Sequence, residues 1–187
     1  MIGYTAAAVV GYLLGTVNPA VLIAQAKGID LRAIGSGNPG AANAGRALGR
    51  RTGVLVALLD VAKGAVPAFA FGLGDHRWGL VAGLFAIAGH ITSPWLRGKG
   101  GKGVATAAGA ILGSHPLWVL VVLATWLVVL AVSRWIALAS MAAAAAVLVV
   151  SLIEGEDRTW AALIAVVVIA RHTGNVLRRF PQAGREA

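Results

Sequence analysis

Long runs of apolar residues without charged side chains divide the chain into segments that could cross a membrane. A helix needs about 20 apolar residues to span the bilayer hydrocarbon. Charge-free runs cover residues 4–26, 78–96, 103–133 and 135–153. Residues 52–74 form a further run, interrupted only by Asp60 and Lys63, and the shorter run 159–170 ends at Arg171. The pattern predicts an all-α integral membrane protein.

The run 103–133 is too long for one crossing, since a single helix of this length would reach about 46 Å. Gly113, His115 and Pro116 supply a turn in its middle. With two crossings, 13 lysines and arginines fall on one side of the membrane and two on the other; with one crossing, the split is nine to six. The positive-inside rule therefore favours two crossings.

This arrangement predicts about seven transmembrane helices, several of them short, with the N-terminus outside and the C-terminus cytoplasmic. The first run lacks the basic region of a cleaved signal peptide, so we expect it to remain as a helix. Residues 1–187 contain no tandem repeat and are expected to form a single polytopic domain in the plasma membrane.

Composition narrows the chemistry. The chain is 58% hydrophobic and 12% charged, too few charges to cover a water-facing surface. Its net charge of +9 is explained by cytoplasmic loops and anionic ligands rather than by nucleic acid. With no cysteine there is no thiolate nucleophile, and with four histidines and few carboxylates we expect no metal site and no cofactor.

The first polar loop is residues 35–46, GSGNPGAANAGR. Asn38 followed by Pro39 predicts a helix N-cap and first helical position. Ser36 and Gly37 precede this cap, where the serine hydroxyl could meet a ligand at the positive end of the helix. A capped loop without a ligand would show the same glycine spacing.

On the predicted helix, Asn43, Arg46 and Arg50 fall at i, i+3 and i+7, which gives one face of polar donors. For Arg50 and the neighbouring Arg51 we prefer the simpler interpretation, solvated arginines.

The second polar loop is residues 98–103, GKGGKG, followed by VATAA. Backbone N–H groups of Gly100, Gly101 and Gly103 could approach an anion, and the next helix would add its N-terminal dipole. Lys102 supplies a cation and Thr106 a hydroxyl. The loop is not a Walker A motif, and a flexible basic hairpin at the lipid headgroups is the alternative.

The third polar segment is residues 171–179, in which His172, Asn175 and Arg179 fall at i, i+3 and i+7. A lone histidine at a membrane boundary is more often an interfacial hydrogen-bonding residue than a catalyst. Its predicted position beside the other two loops favours a functional role. Arg134 and Ser140 could contribute from the remaining cytoplasmic turn.

Other catalytic signatures are absent from the sequence. No histidine has an aspartate five residues later, as in the common glycerolipid acyltransferases, and there is no aspartate cluster for a metal-dependent transferase. No G-x-S-x-G elbow occurs. Asp60 and Lys63 lie three apart on a presumed helix, and we interpret them as a structural ion pair rather than a catalytic one.

The segments GSGNPGAANAGR, GKGGKGVAT and HTGNVLRR, in this order between hydrophobic spans, resemble the bacterial acyl-phosphate-dependent glycerol-3-phosphate acyltransferases. The resemblance extends over nearly the whole chain and includes residues 59–64 and 133–140. The departures are modest: small residues at 42, 44 and 45 in the first segment, and Thr173 and Gly174 in the third.

The resemblance implies a reaction. Acyl phosphate, a mixed anhydride with an activated carbonyl, would react with the 1-hydroxyl of glycerol 3-phosphate to give 1-acylglycerol 3-phosphate (lysophosphatidic acid) and phosphate, the first acylation of bacterial phospholipid synthesis. The expected partners are these two substrates and membrane lipid, with no nucleic acid, at an active site on the cytoplasmic side.

The resemblance also assigns residue roles. Implied catalytic residues are Ser36, Arg46, Lys102, His172 and Asn175. Implied substrate-binding residues are Gly37, Asn38, Asn43, Gly100, Gly101, Gly103, Thr106, Arg134 and Ser140. Either His172 or a substrate phosphate could act as the general base.

Two other classes of function remain open on the residues alone. Basic loops on one side and broken hydrophobic segments would also suit a small anion transporter. A non-catalytic scaffold for anionic lipids is the second, and it would tolerate Ser36→Ala and Asn175→Ala.

Overall fold

The computed structural model describes residues 1–179, the side chain of Arg178 excepted, and this range is helical without a strand. The α-helices are α1 (Ile2–Thr16), α2 (Pro19–Ala26), α3 (Ala41–Leu48), α4 (Arg50–Gly72), α5 (His76–Thr92), α6 (Val104–Ser114), α7 (Trp118–Ser133), α8 (Ile136–Glu154), α9 (Arg158–Ala170) and α10 (Thr173–Arg179). A 3-10 turn, Pro94–Leu96, follows α5.

The helices form two compact units. In the first, Met1–Pro116, α5 packs on α1, α4 and α6, and α4 packs on α6 and α3. In the second, which begins at Leu117, α8 packs between α7 and α9. The loops around Ser36 and Lys102 belong to the first unit, and His172 belongs to the second.

Small residues set the helix spacing in the first unit. A Cβ added to Gly11 or Gly15 of α1 would overlap the backbone carbonyl of Ala82 or Ala86 in α5. A Cβ on Gly109 of α6 would likewise overlap the carbonyl of Val61 in α4. Apolar helices in lipid gain little from hydrophobicity, so such close backbone approach supplies the packing energy.

Five helical segments are long and apolar enough to cross a membrane: Ile2–Ala26, Arg50–Gly72, His76–Leu96, Ile136–Glu154 and Arg158–Leu177. Val104–Ser114 and Trp118–Ser133 are shorter apolar helices. The all-helical prediction is confirmed, and the predicted interruption of the run 103–133 is present, because α6 ends at Ser114 and α7 begins at Trp118.

The sequence predicts one continuous helix for the first apolar run, but the structure has two helices there. The chain is extended at Val17, and α2 begins again at Pro19. The Asn18 side chain caps α2 by accepting a hydrogen bond of 2.9 Å from the N–H of Val21. Proline fits the first helical position but cannot donate to the preceding turn, and this interrupts the hydrogen-bonding pattern.

Candidate functional site

Asn43 organises the loop that carries Ser36. Its side chain is buried, and Nδ2 donates to the carbonyl oxygens of Leu31 and Ile34, both at 3.0 Å. Its Oδ1 accepts from the N–H of Ser36 at 3.1 Å. One amide therefore satisfies three backbone groups of the loop and fixes the position of Ser36.

Arg46 lies beside Ser36. Its Nη2 donates to Ser36 Oγ at 3.3 Å and to Asn43 Oδ1 at 3.2 Å. Both Ser36 and Arg46 are exposed, so the pair is accessible to a solute. A guanidinium carries five N–H donors, and those on its other two nitrogens make no bond within the described part of the chain. They are available to an anion such as a phosphate.

The helix after this loop begins later than the Asn38–Pro39 pair predicts. Gly40 is the N-cap and α3 starts at Ala41, because Asn38 and Pro39 belong to a turn in which the N–H of Gly40 donates to the carbonyl of Asn38 at 2.9 Å. Pro39 is buried, and its carbonyl accepts from Asn18 Nδ2 at 3.0 Å. Gly37 has a φ of +66°, and its N–H donates to Ile34.

The predicted three-residue face is also wrong at its last member. Gly49, with a φ of +93°, ends α3, so Arg50 opens α4 and does not extend the face formed by Asn43 and Arg46. Sequence periodicity could not detect this change of direction, because glycine is tolerated inside a helical pattern as well as between two helices.

The glycine–lysine loop, residues 98–103, folds back onto the end of α5. The N–H of Gly100 donates to the carbonyl of Ile91 at 2.9 Å, and that of Gly101 to the carbonyl of His90 at 3.1 Å. A Cβ on either glycine would overlap His90. These two N–H groups therefore anchor the loop, and we expect its contacts with an anion to come from Lys102, Gly103 and the start of α6.

The start of α6 retains the features of an anion site. Gly103, the N-cap, has a left-handed φ of +83°, and the first N–H groups of a helix have no partner within it. Lys102 is half-buried just before this cap. Thr106, one turn into α6, is fully buried, and its hydroxyl makes no hydrogen bond with any residue the structure describes.

The predicted pair of Asp60 and Lys63 is present in α4, with 2.8 Å between Lys63 Nζ and Asp60 Oδ1. Lys63 Nζ also donates to the carbonyl of Val17 at 2.7 Å, which ties α4 to the interruption between α1 and α2. His90 Nδ1 lies 3.5 Å from the same carboxylate oxygen. Sequence patterns did not indicate this role for His90, because it is a single histidine in an apolar run.

In the second unit, His172 is buried and lies between α9 and α10 along the chain. Its Nδ1 lies 2.8 Å from the carbonyl oxygen of Val168. A carbonyl only accepts, so Nδ1 carries the hydrogen and Nε2 holds the lone pair in the neutral ring. The His172 carbonyl accepts from the N–H groups of Asn175 at 2.9 Å and Val176 at 3.2 Å, so His172 immediately precedes the first turn of α10, which contains Asn175.

The remaining predicted residues of this unit have identifiable surroundings. Ser140 is buried, and its Oγ accepts from Trp126 Nε1 at 3.3 Å. Arg134 is exposed and ends α7 with a φ of +52°. Arg179 lies over the ring of Trp135, with Cζ 5.0 Å from the ring centroid, a cation–π contact.

Comparison with known proteins identifies the family. The family model described as "Glycerol-3-phosphate acyltransferase" matches residues 5–182. A glycerol-3-phosphate acyltransferase of Geobacter sulfurreducens is 43% identical over 175 residues, 90% of each chain. One from Geotalea daltonii is 42% identical over 175 residues, 89% of each chain.

Solved structures agree in fold as well as sequence. PlsY (YgiH), described as an integral membrane glycerol 3-phosphate acyltransferase, matches in its glycerol 3-phosphate form with a TM-score of 0.89 and 35% identity, over 95% of this chain and 92% of that one. Its lysophosphatidic acid form matches with a TM-score of 0.86 and 34% identity, over 95% and 91%. The resemblance of the three polar segments is thus confirmed along nearly the whole chain, and this protein belongs to the glycerol-3-phosphate acyltransferase family of integral membrane proteins.

Proposed function

We propose that this protein transfers the acyl group of acyl phosphate to the 1-hydroxyl of glycerol 3-phosphate, releasing 1-acylglycerol 3-phosphate and inorganic phosphate. The observation that carries the proposal is that this member of the family has two separate groups of positively charged hydrogen-bond donors. One consists of Ser36 and Arg46, held by Asn43; the other consists of Lys102 and the N-terminus of α6. Two such sets suit two phosphate-bearing reactants.

The reaction needs no acyl-enzyme. The hydroxyl oxygen of glycerol 3-phosphate forms a new bond to the carbonyl carbon of the mixed anhydride, and the bond between that carbon and the phosphate oxygen breaks. Phosphate leaves with the electron pair, and the hydroxyl proton passes to a base. A chain without cysteine is compatible with this direct transfer. The protein's contribution is then the alignment of the reactants and compensation of their charge.

The two donor sets take different parts in the proposed reaction. Lys102, Gly103 and Thr106 hold the phosphate of the acyl donor, with Gly100 and Gly101 as the anchored base of that loop. Arg46 neutralises phosphate charge, and Ser36 hydrogen-bonds near the reacting groups while its oxygen accepts from Arg46. Gly37 and Asn38 shape the turn between them.

His172 and Asn175 bind glycerol 3-phosphate in this proposal. The bond from Nδ1 to Val168 fixes the ring and leaves Nε2 as the nitrogen able to take the hydroxyl proton. A phosphate oxygen of either substrate is the alternative acceptor of that proton. Arg134, which ends α7, and Ser140, on the second turn of α8, contribute to substrate binding from the remaining cytoplasmic turn in this proposal.

The acceptor and product have independent support. The related PlsY was solved in forms named for glycerol 3-phosphate and for lysophosphatidic acid. We further propose about seven crossings with all strongly basic loops in the cytoplasm, since this topology gives the larger charge asymmetry. The active site then faces the cytoplasm, with the acyl chain in the bilayer.

The test is a donor competition. Purified protein in detergent is given acyl phosphate, acyl-CoA or acylated carrier protein, each with glycerol 3-phosphate, and 1-acylglycerol 3-phosphate is quantified. We expect product from acyl phosphate only. Transfer from the thioesters alone would overturn the donor assignment. Because no sealed vesicle is present, turnover in detergent also excludes a transporter as the source of the signal.

A further inference from the structure

The interruption between α1 and α2 connects the two proposed phosphate-binding loops. On one side, Asn18 Nδ2 donates to the carbonyl of Pro39 at 3.0 Å, and Pro39 lies in the turn that follows Ser36. Asn18 and Pro39 are both buried, so this bond fixes the Ser36 loop to the interruption.

The interruption is in turn fixed to the end of α5. Ser93, which is fully buried, donates through Oγ to the carbonyl of Thr16 at 2.7 Å. Trp95 Nε1 donates to Thr16 Oγ1 at 3.1 Å. Residues 93–95 lead directly into the glycine–lysine loop, so the base of that loop is held by the same interruption that holds Pro39.

A second connection runs through charged side chains. Lys63 Nζ reaches the carbonyl of Val17 at 2.7 Å and Asp60 Oδ1 at 2.8 Å, and Asp60 Oδ1 lies 3.5 Å from His90 Nδ1. The His90 ring lies against Gly101, where any Cβ would overlap its Nε2. Asp60 and His90 are only 2% and 4% exposed, so neither acts through solvent.

We propose that Asp60, Lys63 and His90 are positioning residues that set the distance and orientation between the Ser36 loop and the glycine–lysine loop. The inference rests on the proposed function, because the two loops need a fixed relative position only if Ser36 and Arg46 act on a reaction whose acyl donor is held by the glycine–lysine loop. None of the three touches a reactant in this proposal. They act through Val17, whose neighbour Asn18 holds one loop, and through Gly101 of the other.

The position of these charges argues against a role in stability alone. A buried ion pair can often be replaced by apolar residues of similar size without loss of stability, because the attraction is offset by the desolvation of both charges. A pair retained only for stability would therefore be dispensable. Lys63 of this pair donates to the backbone carbonyl of Val17, and Asp60 lies 3.5 Å from the His90 ring that packs against Gly101. This is the placement expected of a geometric brace between the two loops.

The experiment compares the double variant Asp60→Leu/Lys63→Met with wild type, measuring the melting temperature, kcat and the KM of each substrate. Each single variant leaves one buried charge without its partner, so its melting temperature should be lower than that of wild type. The double variant should regain most of the wild-type melting temperature. Lys102 and the start of α6 still hold the acyl donor, and His172 and Asn175 still hold glycerol 3-phosphate, so the KM of each substrate stays near the wild-type value. The in-line alignment is lost, so kcat falls about 100-fold.

Two further variants keep the test decisive. His90→Phe preserves the ring volume and leaves the charged pair in place, and we expect kcat to fall by the same order. This variant provides the test if the double variant does not fold. Leu80→Ala is the matched control, because it creates a cavity near the other end of α5. It should lower the melting temperature but leave kcat unchanged at assay temperatures below that melting temperature.

The outcomes separate the two proposals. A folded double variant, or a folded His90→Phe variant, with wild-type kcat would overturn the positioning role, as would a change confined to KM. Failure of the wild-type protein to form product from acyl phosphate would instead overturn the proposed function.

Discussion

Asn43 Oδ1 accepts hydrogen bonds from both the Ser36 backbone, at 3.1 Å, and the Arg46 guanidinium, at 3.2 Å. The two exposed polar groups of the first loop are thus held by one oxygen of a buried side chain. An accessible hydroxyl and an accessible cation gain fixed positions in this way without being buried themselves. The loop depends more on Asn43 than on either exposed residue.

Replacing Asn43 with leucine removes this support at similar volume. The carbonyls of Leu31 and Ile34 lose their donor, and a buried unsatisfied polar group costs about 1–3 kcal/mol. We expect a lower melting temperature together with loss of most activity. Asn43→Asp is the matched control, since it keeps the acceptor oxygens but not the donors, and an intermediate result is expected. A leucine variant with unaltered melting and turnover would contradict the account.

Lys102 and Lys99 offer a comparison within one loop. Lys102 is half-buried beside the start of α6, whereas Lys99 is exposed. Lys102→Ala should lower kcat about 100- to 1,000-fold, the usual loss when one preorganised charge-stabilising group is removed. Lys99→Ala should retain nearly all activity. Equal losses from both lysines, measured in the same detergent assay, would indicate a general electrostatic effect instead of a specific contact.

His172→Ala distinguishes the two candidate bases. Loss of a general base lowers kcat about 100-fold or more, so we expect a loss of that size if the imidazole takes the hydroxyl proton. A change seen only in the KM for glycerol 3-phosphate would assign the proton to a substrate phosphate and leave His172 a binding role. Thr173→Ala, which alters an exposed neighbour bonded to the Ala170 carbonyl, should resemble wild type.

Gly109→Ala tests the close packing of α4 and α6. The added methyl would overlap the Val61 carbonyl, so the helices must separate, and overpacking of this kind costs about 1–3 kcal/mol. A fall in melting temperature is expected. Gly174→Ala in α10 has no neighbouring atom within 4 Å of the new Cβ and should leave the melting temperature unchanged or slightly raised. Similar melting of both variants would argue against the tight helix contact.

The sequence predicted the helices well and their interruptions unevenly. A segment that crosses the bilayer must be apolar over many residues, so the apolar runs indicated where the long helices lie. The Asn–Pro pair, by contrast, has two outcomes in one chain. At residues 18–19 it caps a helix, as Asn18 bonds to Val21, whereas at residues 38–39 it forms part of a turn that ends at Gly40. Local preference does not choose between them, since the choice depends on the distant contact that joins Asn18 to Pro39.

The sequence could indicate local features of the candidate site but not those that depend on packing. The Asp60–Lys63 spacing indicated the ion pair that is present, and the anion site that the glycine–lysine loop indicates stays a prediction. The supporting residues Asn18 and His90 were missed, because single polar residues in apolar runs carry no pattern of their own. The internal use of the Gly100 and Gly101 N–H groups could not be seen either, since their acceptors lie on a helix that only the fold brings near.

The interruption at Val17 has a consequence for synthesis of the chain. The carbonyls of Thr16 and Val17 accept from Ser93 and Lys63, residues made much later than the first segment. Bare carbonyls are costly in hydrocarbon. The nascent N-terminal segment should therefore stay near water or the insertion machinery until residue 93 has emerged. Ribosome-stalled chains in which residue 93 is still inside the ribosome are expected to crosslink to the translocon through Val17, and chains in which it has emerged are expected to release it.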